Sequence, residues 1–290
     1  MTLDLLDKIG NWNPQLFREI KGRLNTGNMA ITSALSLSAQ LLLFMYYSAQ
    51  IPVPPPNGEY TNPMYHRLCN LYDAHPSEEK ICVRDALGNF VINWREWWHW
   101  SFMGLSIFSV LALLVAGIYL LVSDLDKEER RGTLNFIRLS PHSAKTIFLG
   151  KILGVPILLY LAAILTVPLH LYAGLAAQIP LNKILCFYIA VLASCALFYS
   201  GAMLFGLTTS WLGRFQPWLA SGMVFVVFEV SKFPLLRTTW DLLVFLSPIS
   251  ILRYLRCGVV VNKNRVFYLT DFDKLQWFYS PVGTNIASGI

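Results

Sequence analysis

The sequence predicts an all-α polytopic membrane protein, and three observations carry that prediction. Only 14% of the 290 residues are charged and 55% are apolar, whereas a soluble domain is about 25% charged. The charges are bunched, leaving uncharged runs at 24–58, 97–123, 152–182, 184–213 and, shorter, 215–228. A bilayer crossing needs about 20 mostly apolar residues. Four of the runs reach that length, and the fifth does so if Glu229 is included. This composition excludes intrinsic disorder, a secreted disulfide scaffold and a nucleic-acid module. The excess of 23 Lys+Arg over 17 Asp+Glu is therefore a statement about topology. The expected layout is one transmembrane domain over 1–290: an N-terminal interfacial helix, five spans and a truncated sixth.

Residues 11–24 form the interfacial helix. Asn13 is a good N-cap and Pro14 suits the first helical position. Trp12 and Phe17 are placed for a hydrophobic staple. Leu16, Phe17, Ile20 and Leu24 share an apolar stripe, while Arg18, Lys21 and Arg23 fall mainly on the other side, as in helices that lie in the head-group plane. Asp4, Asp7 and an apolar run starting only near Asn28 exclude a cleavable signal peptide, so the first run reads as a signal-anchor.

Span one covers about 28–50 and is ended by the prolines of 51–56. An outer loop follows over 51–96. It holds Cys69 and Cys82, which read as a disulfide in an oxidising compartment, as free thiols or, with His66 and His75, as an irregular zinc set. Trp94, Trp97, Trp98 and Trp100 mark the membrane–water boundary where span two begins. Span two runs to about Ser123, and the charged inner loop occupies 124–148. Span three is about 149–173, with Pro156 and Pro168. Span four is about 184–211. Gly213, Arg214 and Pro217 turn the chain into span five, about 215–232. Small residues at Gly150 and Gly154, and at Ala202, Gly206 and Ser210, mark faces where helices approach closely, within the chain by default.

Eleven Lys and Arg residues fall on the inner side if the N-terminus is cytoplasmic, against four in the first outer loop and Lys183 in the second. That distribution predicts a multi-pass protein with its N-terminus inside. Seven further bases between Lys232 and Lys274, with Arg237 and Asp241 inside 233–252, make 233–274 a partly embedded or re-entrant outer segment. Residues 275–290 carry no charge and read as the opening of a further span, as though the chain were C-terminally incomplete.

No P-loop, G-x-S-x-G, H-E-x-x-H or C-x-x-C motif occurs, so no enzyme chemistry, cofactor or metal site is expected in this chain. Two ionisable residues lie inside spans. His170 is nearer the outer surface. Glu229, about 21 Å deep, is a candidate for the substrate path or pairs with Lys232.

The most informative stretch is Glu128-Glu129-Arg130-Arg131-Gly132-Thr133-Leu134-Asn135-Phe136-Ile137-Arg138-Leu139-Ser140-Pro141. Gly132 interrupts the helix that leaves span two. Thr133 caps a short helix over 134–139, and Ser140 with Pro141 opens the next one. Leu134, Phe136 and Ile137 give it an apolar contact face. This stretch resembles the integral-membrane subunits of ATP-binding-cassette exporters of the second type, matching at Glu129, Arg131, Gly132, Thr133, Leu134 and Ser140-Pro141, with Gly150-Lys151 opening span three. It departs at Asn135, where that family usually has Glu. The Asn13-Pro14…Phe17-Arg18-Glu19 helix is similar to the family's interfacial connecting helix.

The resemblance implies the six-span exporter fold, a second permease subunit, and a cytoplasmic ABC ATPase subunit that carries ATP and Mg. It implies that Glu129, Arg131, Gly132, Thr133, Leu134, Ile137, Ser140 and Pro141 form the ATPase-coupling element, and that the protein works as a permease exporting a substrate across the plasma (inner) membrane. It leaves the substrate open. An ion-driven secondary transporter, a membrane enzyme and a non-transport membrane scaffold are the competing readings.

Overall fold

Two asparagines start the first two helices in the computed structural model of the chain, which describes residues 8, 10–53, 68–73, 80–132, 143–230, 276–277 and 280–281. Asn13 Oδ1 accepts from the Leu16 amide at 3.0 Å and Pro14 follows it, opening helix α1 (Pro14–Arg23). Asn25 Oδ1 accepts from the Asn28 amide at 2.7 Å and opens α2 (Thr26–Ser48). The loop that follows carries a short antiparallel ladder, β1 (Leu71–Asp73) on β2 (Lys80–Cys82), with Leu71 opposite Cys82. Asn93 caps α3 (Trp94–Leu111), which runs through one π-turn (Ala112–Ala116) into α4 (Gly117–Arg130). The chain resumes with α5 (Ala144–Gly154), α6 (Ile157–Ala176), α7 (Leu181–Thr208), a 3₁₀ turn (Ser210–Phe215) and α8 (Gln216–Val230). A two-residue ladder pairs β3 (Gln276–Trp277) with β4 (Ser280–Pro281).

Among the described residues, four helical stretches are long and apolar enough to cross a membrane: Thr26–Ser48, Trp94–Arg130, Ile157–Ala176 and Leu181–Thr208. The described part of span five is α8, whose 15 residues are shorter than a full crossing. Span two is longer than its uncharged run suggests. It continues as helix past Ser123 to Arg130, 37 residues in all and about 56 Å at the α-helical rise. It is also the axis of the bundle, with half of its most apolar window buried against 11% for span one. Its first half, α3, packs on α2 and α6, and its second half, α4, packs on α7 and α8.

The structure corrects span three. The run predicted as one helix over 149–173 is two, broken at Val155–Pro156. Proline lacks an N–H and its ring crowds the carbonyl four residues back, here that of Ile152. The Tyr160 hydroxyl donates to that carbonyl at 2.9 Å. A second tyrosine does the same in span two, where the Tyr199 hydroxyl donates to the Leu113 carbonyl within the π-turn. Gly117 admits its ring, because a Cβ there would collide with the Tyr199 hydroxyl and ring carbons.

Both small-residue faces pack within the chain. A Cβ on Gly150 would lie 2.8 Å from the Gln15 side chain, and one on Gly154 would strike Glu19. The Gly150–Gly154 face is therefore the seat of α1. Gly206 faces Leu125 of α4, where a Cβ would come within 2.7 Å, and Ala202 is buried on the same side. The turn after α7 needs Gly213, whose φ of +54° suits glycine. Gln216 bridges the turn by donating to the Gly206 carbonyl at 2.6 Å.

The tryptophan cluster both marks a boundary and packs. Trp94 is exposed, but Trp97 is buried and its indole N–H donates to the Tyr47 carbonyl at 2.9 Å. Trp97 and Trp98 stack edge to face at 4.7 Å, and Trp98 meets Tyr172 at 5.1 Å, which ties spans one, two and three together at the disulfide end. Trp12 stays exposed, while Phe17 sits against Gly10 and under Lys21.

Tyr160→Phe leaves the Ile152 carbonyl without its tyrosine donor and should lower stability by about 1–3 kcal/mol, while Tyr199→Phe removes the second donor of a Leu113 carbonyl that keeps the Gly117 amide and should cost about 1 kcal/mol. Gly117→Ala should cost at least as much, because the Tyr199 ring has to move. Thermal unfolding in detergent, followed by the reactivity of the buried Cys195 thiol, checks the three variants. Wild-type stability in all of them would refute the carbonyl-capture account.

Candidate functional site

The charged end of the bundle is held by one buried lysine. Lys151 lies on α5, outside the four apolar spans, and its side chain is 1% exposed. Its ammonium meets three carboxylates from two other helices: Glu128 at 2.6 Å, Glu19 at 3.3 Å, and Asp124. Asp124 and Glu128 stand four residues apart on α4. They share a face, and two like charges in that relation need a cation between them. Glu19 comes from the buried face of α1, which is Asn13, Leu16 and Glu19. The protein-facing side of this helix is thus rotated from the stripe that the sequence suggested, since Phe17 and Ile20 are only half-buried.

Two arginines complete the cluster. Arg23 donates to Asp124 at 2.6 Å and to Glu19 at 3.1 Å. Arg18 donates to Glu128 at 2.9 Å. Three carboxylates face three cations, so the group is neutral as a whole. Asn13 adds an uncharged tie, donating to the Thr146 carbonyl at 2.9 Å. Burial opposes the charged form of Lys151, but the Asp124 and Glu19 charges and the hydrogen bonds that the ammonium donates to Asp124 and Glu128 outweigh it, so its pKa is raised above 10.5. Glu19, Asp124 and Glu128 lie close enough together to hold a metal ion. The Lys151 ammonium already fills that role for all three.

The place of this clamp in the chain gives it its interest. Asp124 and Glu128 sit just before the segment 131–143, and Lys151 sits just after it. The clamp fastens both flanks of that segment to each other and to α1. Glu129 and Arg131 are exposed at the end of α4, and Gly132 (φ +69°) terminates the helix, its amide donating to the Glu129 carbonyl at 3.0 Å. Thr133, Leu134, Ile137, Ser140 and Pro141 lie outside the described residues. Ser143, just beyond them, caps α5 through the Thr146 amide at 3.2 Å.

At the opposite end of the bundle, Cys69 and Cys82 form a disulfide, which leaves no thiolate for the zinc set. The sulfurs sit in a small core with Phe90 and Ile92. His66 and His75 lie outside the described residues.

His170 is buried inside the membrane region and is linked on both sides. Its Nε2 is 2.7 Å from Ser106 Oγ and its Nδ1 is 2.8 Å from the Tyr188 hydroxyl. Ser106 spends its single proton on the Phe102 carbonyl at 2.8 Å. The consistent assignment is therefore Tyr188 O–H to Nδ1, and Nε2–H to Ser106, which keeps the ring neutral. His170 reads as a structural bridge between spans two, three and four. Glu229 is half-buried on α8 and engaged, and its suggested pair, Lys232, lies outside the described residues.

The sequence reading missed the clamp. The local signal is the Asp124–Glu128 spacing together with a lysine at the opening of span three, whereas the sequence alone places Lys151 only among the inner-side charges. No protein-family model, curated protein or solved structure matches this chain.

Lys151→Met should destabilise by about 3 kcal/mol, the low end for a broken buried pair because the carboxylates keep some solvent. Adding Asp124→Asn and Glu128→Gln should recover part of the loss. A single variant within about 0.5 kcal/mol of wild type would refute the clamp. Because the folded pKa is raised, the Lys151 contribution is fully present below about pH 10.5 and is lost only as pH rises through the folded value. Denaturant titrations against pH should be flat in this term through neutral and mildly alkaline pH. Cys69→Ser, which opens a loop with a sequence separation of 13, should cost about 3 kcal/mol, a loss matched in wild type by prior reduction.

Proposed function

We propose that this chain is the membrane-spanning permease subunit of an ATP-binding-cassette exporter of the second type. The observation that carries the reading is the clamp, since it fastens the helices on either side of the segment 131–143 to each other and to α1. A lever must be stiff at its root, and both flanks of this segment converge on Lys151. The residue-by-residue resemblance at Glu129, Arg131, Gly132, Thr133, Leu134 and Ser140-Pro141 assigns that lever to an ATPase cleft.

In this reading the clamp lies at the cytoplasmic face of the plasma membrane. The N-terminus is inside, and the Cys69–Cys82 loop faces the oxidising exterior. Two permease subunits associate with two ATPase subunits, which carry ATP, Mg and all of the hydrolytic chemistry. Closure of the ATPase pushes residues 132–141. Because Asp124, Glu128 and Lys151 hold the flanks together, the push reaches span two, span three and α1 as one displacement. Span two then transmits it to α7 and α8, tilting the bundle between inward- and outward-open states.

Co-expression with an ABC ATPase subunit and affinity purification tests the reading. Wild type should retain the ATPase, and Gly132→Pro combined with Leu134→Asp should lose it while the permease stays folded, with Cys69–Cys82 oxidised and open to impermeant reductant in sealed cells. Undiminished association, or substrate movement continuing without any ATPase, would contradict the proposal and favour an ion-driven carrier.

A further inference from the structure

Two cavities flank the contact between α3 and α6. One, of about 240 Å³, lies between α2, α3, the π-turn and α6. The other, of about 350 Å³, lies between α3, α6 and α7. Ser109, Leu113, Ala163 and Thr166 line both, so the two share a wall. The sizes fall near the lower end of ligand pockets, roughly 300–1,000 Å³.

Their chemistry is selective. No Asp, Glu, Lys or Arg lines either cavity. Both ring nitrogens of His170 are engaged. What remains unmatched is a small set of neutral polar groups. Gln40 is only 8% exposed, and its amide protons go to Ser36 Oγ at 3.2 Å and the Leu165 carbonyl at 3.4 Å. Its Oε1 has no partner among the described residues and is left at the cavity wall. The Ser109 and Thr32 hydroxyls also lack partners there. An acceptor facing an apolar cavity without a donor is a site at which a ligand hydroxyl gains a hydrogen bond of about 1 kcal/mol. Gln40 lies eight residues from the end of α2, about 12 Å inside the helix terminus, well below the level at which bulk lipid head groups rest.

From this geometry we infer that the paired cavities bind an uncharged lipid with a hydroxyl head group, its hydroxyl donating to Gln40 Oε1 and its chain lying against the wall formed by Leu113 and Ala163. A carboxylate or phosphate would meet an acceptor oxygen and no cation, and an ammonium would meet no anion, so either would be desolvated without compensation. As a ligand this lipid stands on the cavities alone. As exported cargo it rests on the transporter reading.

The test is photolabelling of the purified full chain in nanodiscs, without any ATPase. The probes are a long-chain alcohol with a diazirine in its chain and the ionised carboxylic acid of the same chain. The alcohol should label peptides 32–43, 105–113 and 158–166, compete with unlabelled alcohol, and exceed the acid by about fivefold, the equivalent of one hydrogen bond of about 1 kcal/mol. Ser109→Ala removes no protein hydrogen bond, so its fold should be intact, and it should reduce labelling by a similar factor, as should Gln40→Met. Equal labelling by alcohol and acid, labelling indifferent to both variants, or crosslinks from a second copy of the chain to these peptides would each overturn the inference. Failure of the wild-type chain to retain the ATPase in the separate purification assay would remove the export role and leave this binding result standing.

Discussion

A lysine ammonium held out of water must be surrounded by negative charge, and that requirement organises the charged end of this protein. Burying Lys151 costs several kcal/mol by itself. The cost is offset only if Glu19, Asp124 and Glu128 arrive together, and their arrival fixes α1 against α5 and the end of α4 against both. The glycines at 150 and 154 allow it, because the backbone of α1 has to come close enough for Glu19 to reach. Arg18 and Arg23 then neutralise the remaining carboxylate charge. Close packing and charge pairing are thus one arrangement, and removing either undoes the other.

Inside the bundle the same rule applies to uncharged groups. Away from water, a carbonyl released by a helix irregularity needs a donor. Pro156 releases that of Ile152, which Tyr160 takes, and the Leu113 carbonyl in the π-turn accepts from Tyr199 in addition to the Gly117 amide. Ser36 and Gln40 satisfy the Ala162 and Leu165 carbonyls across the α2–α6 contact, and His170 links Ser106 to Tyr188. These hydrogen bonds sit where one helix changes neighbours. The π-turn separates the half of span two that packs on α2 and α6 from the half that packs on α7 and α8.

Much of this was legible because it is local. Asn13-Pro14, Gly132 and Gly213 announce helix ends through cap chemistry and positive φ, and the uncharged runs announce spans through solvation. Cys69 and Cys82 were already candidates for each other. What could not be read is nonlocal. The predicted span three hid the break at Pro156, because proline is tolerated in membrane helices. Residues 112–116, ALLVA, carry no local signal for a π-turn, and the Tyr199 hydroxyl that reaches the Leu113 carbonyl there comes from another span. Lys151 was visible as a charge, but Glu19 is far away in sequence on a helix whose apolar stripe pointed elsewhere. The partners of His170 were likewise hidden, as Ser106 and Tyr188 belong to different spans.

The account turns on α1, the end of α4 and the start of α5 being one rigid body. Electron–electron resonance distances between spin labels at the exposed positions Lys21, Lys127 and Lys145 measure that directly in the intact chain. The account predicts narrow distance distributions in the native protein and broad ones once Lys151 is replaced by methionine. Distributions already broad in the native protein, or equally narrow without the Lys151 ammonium, would contradict it.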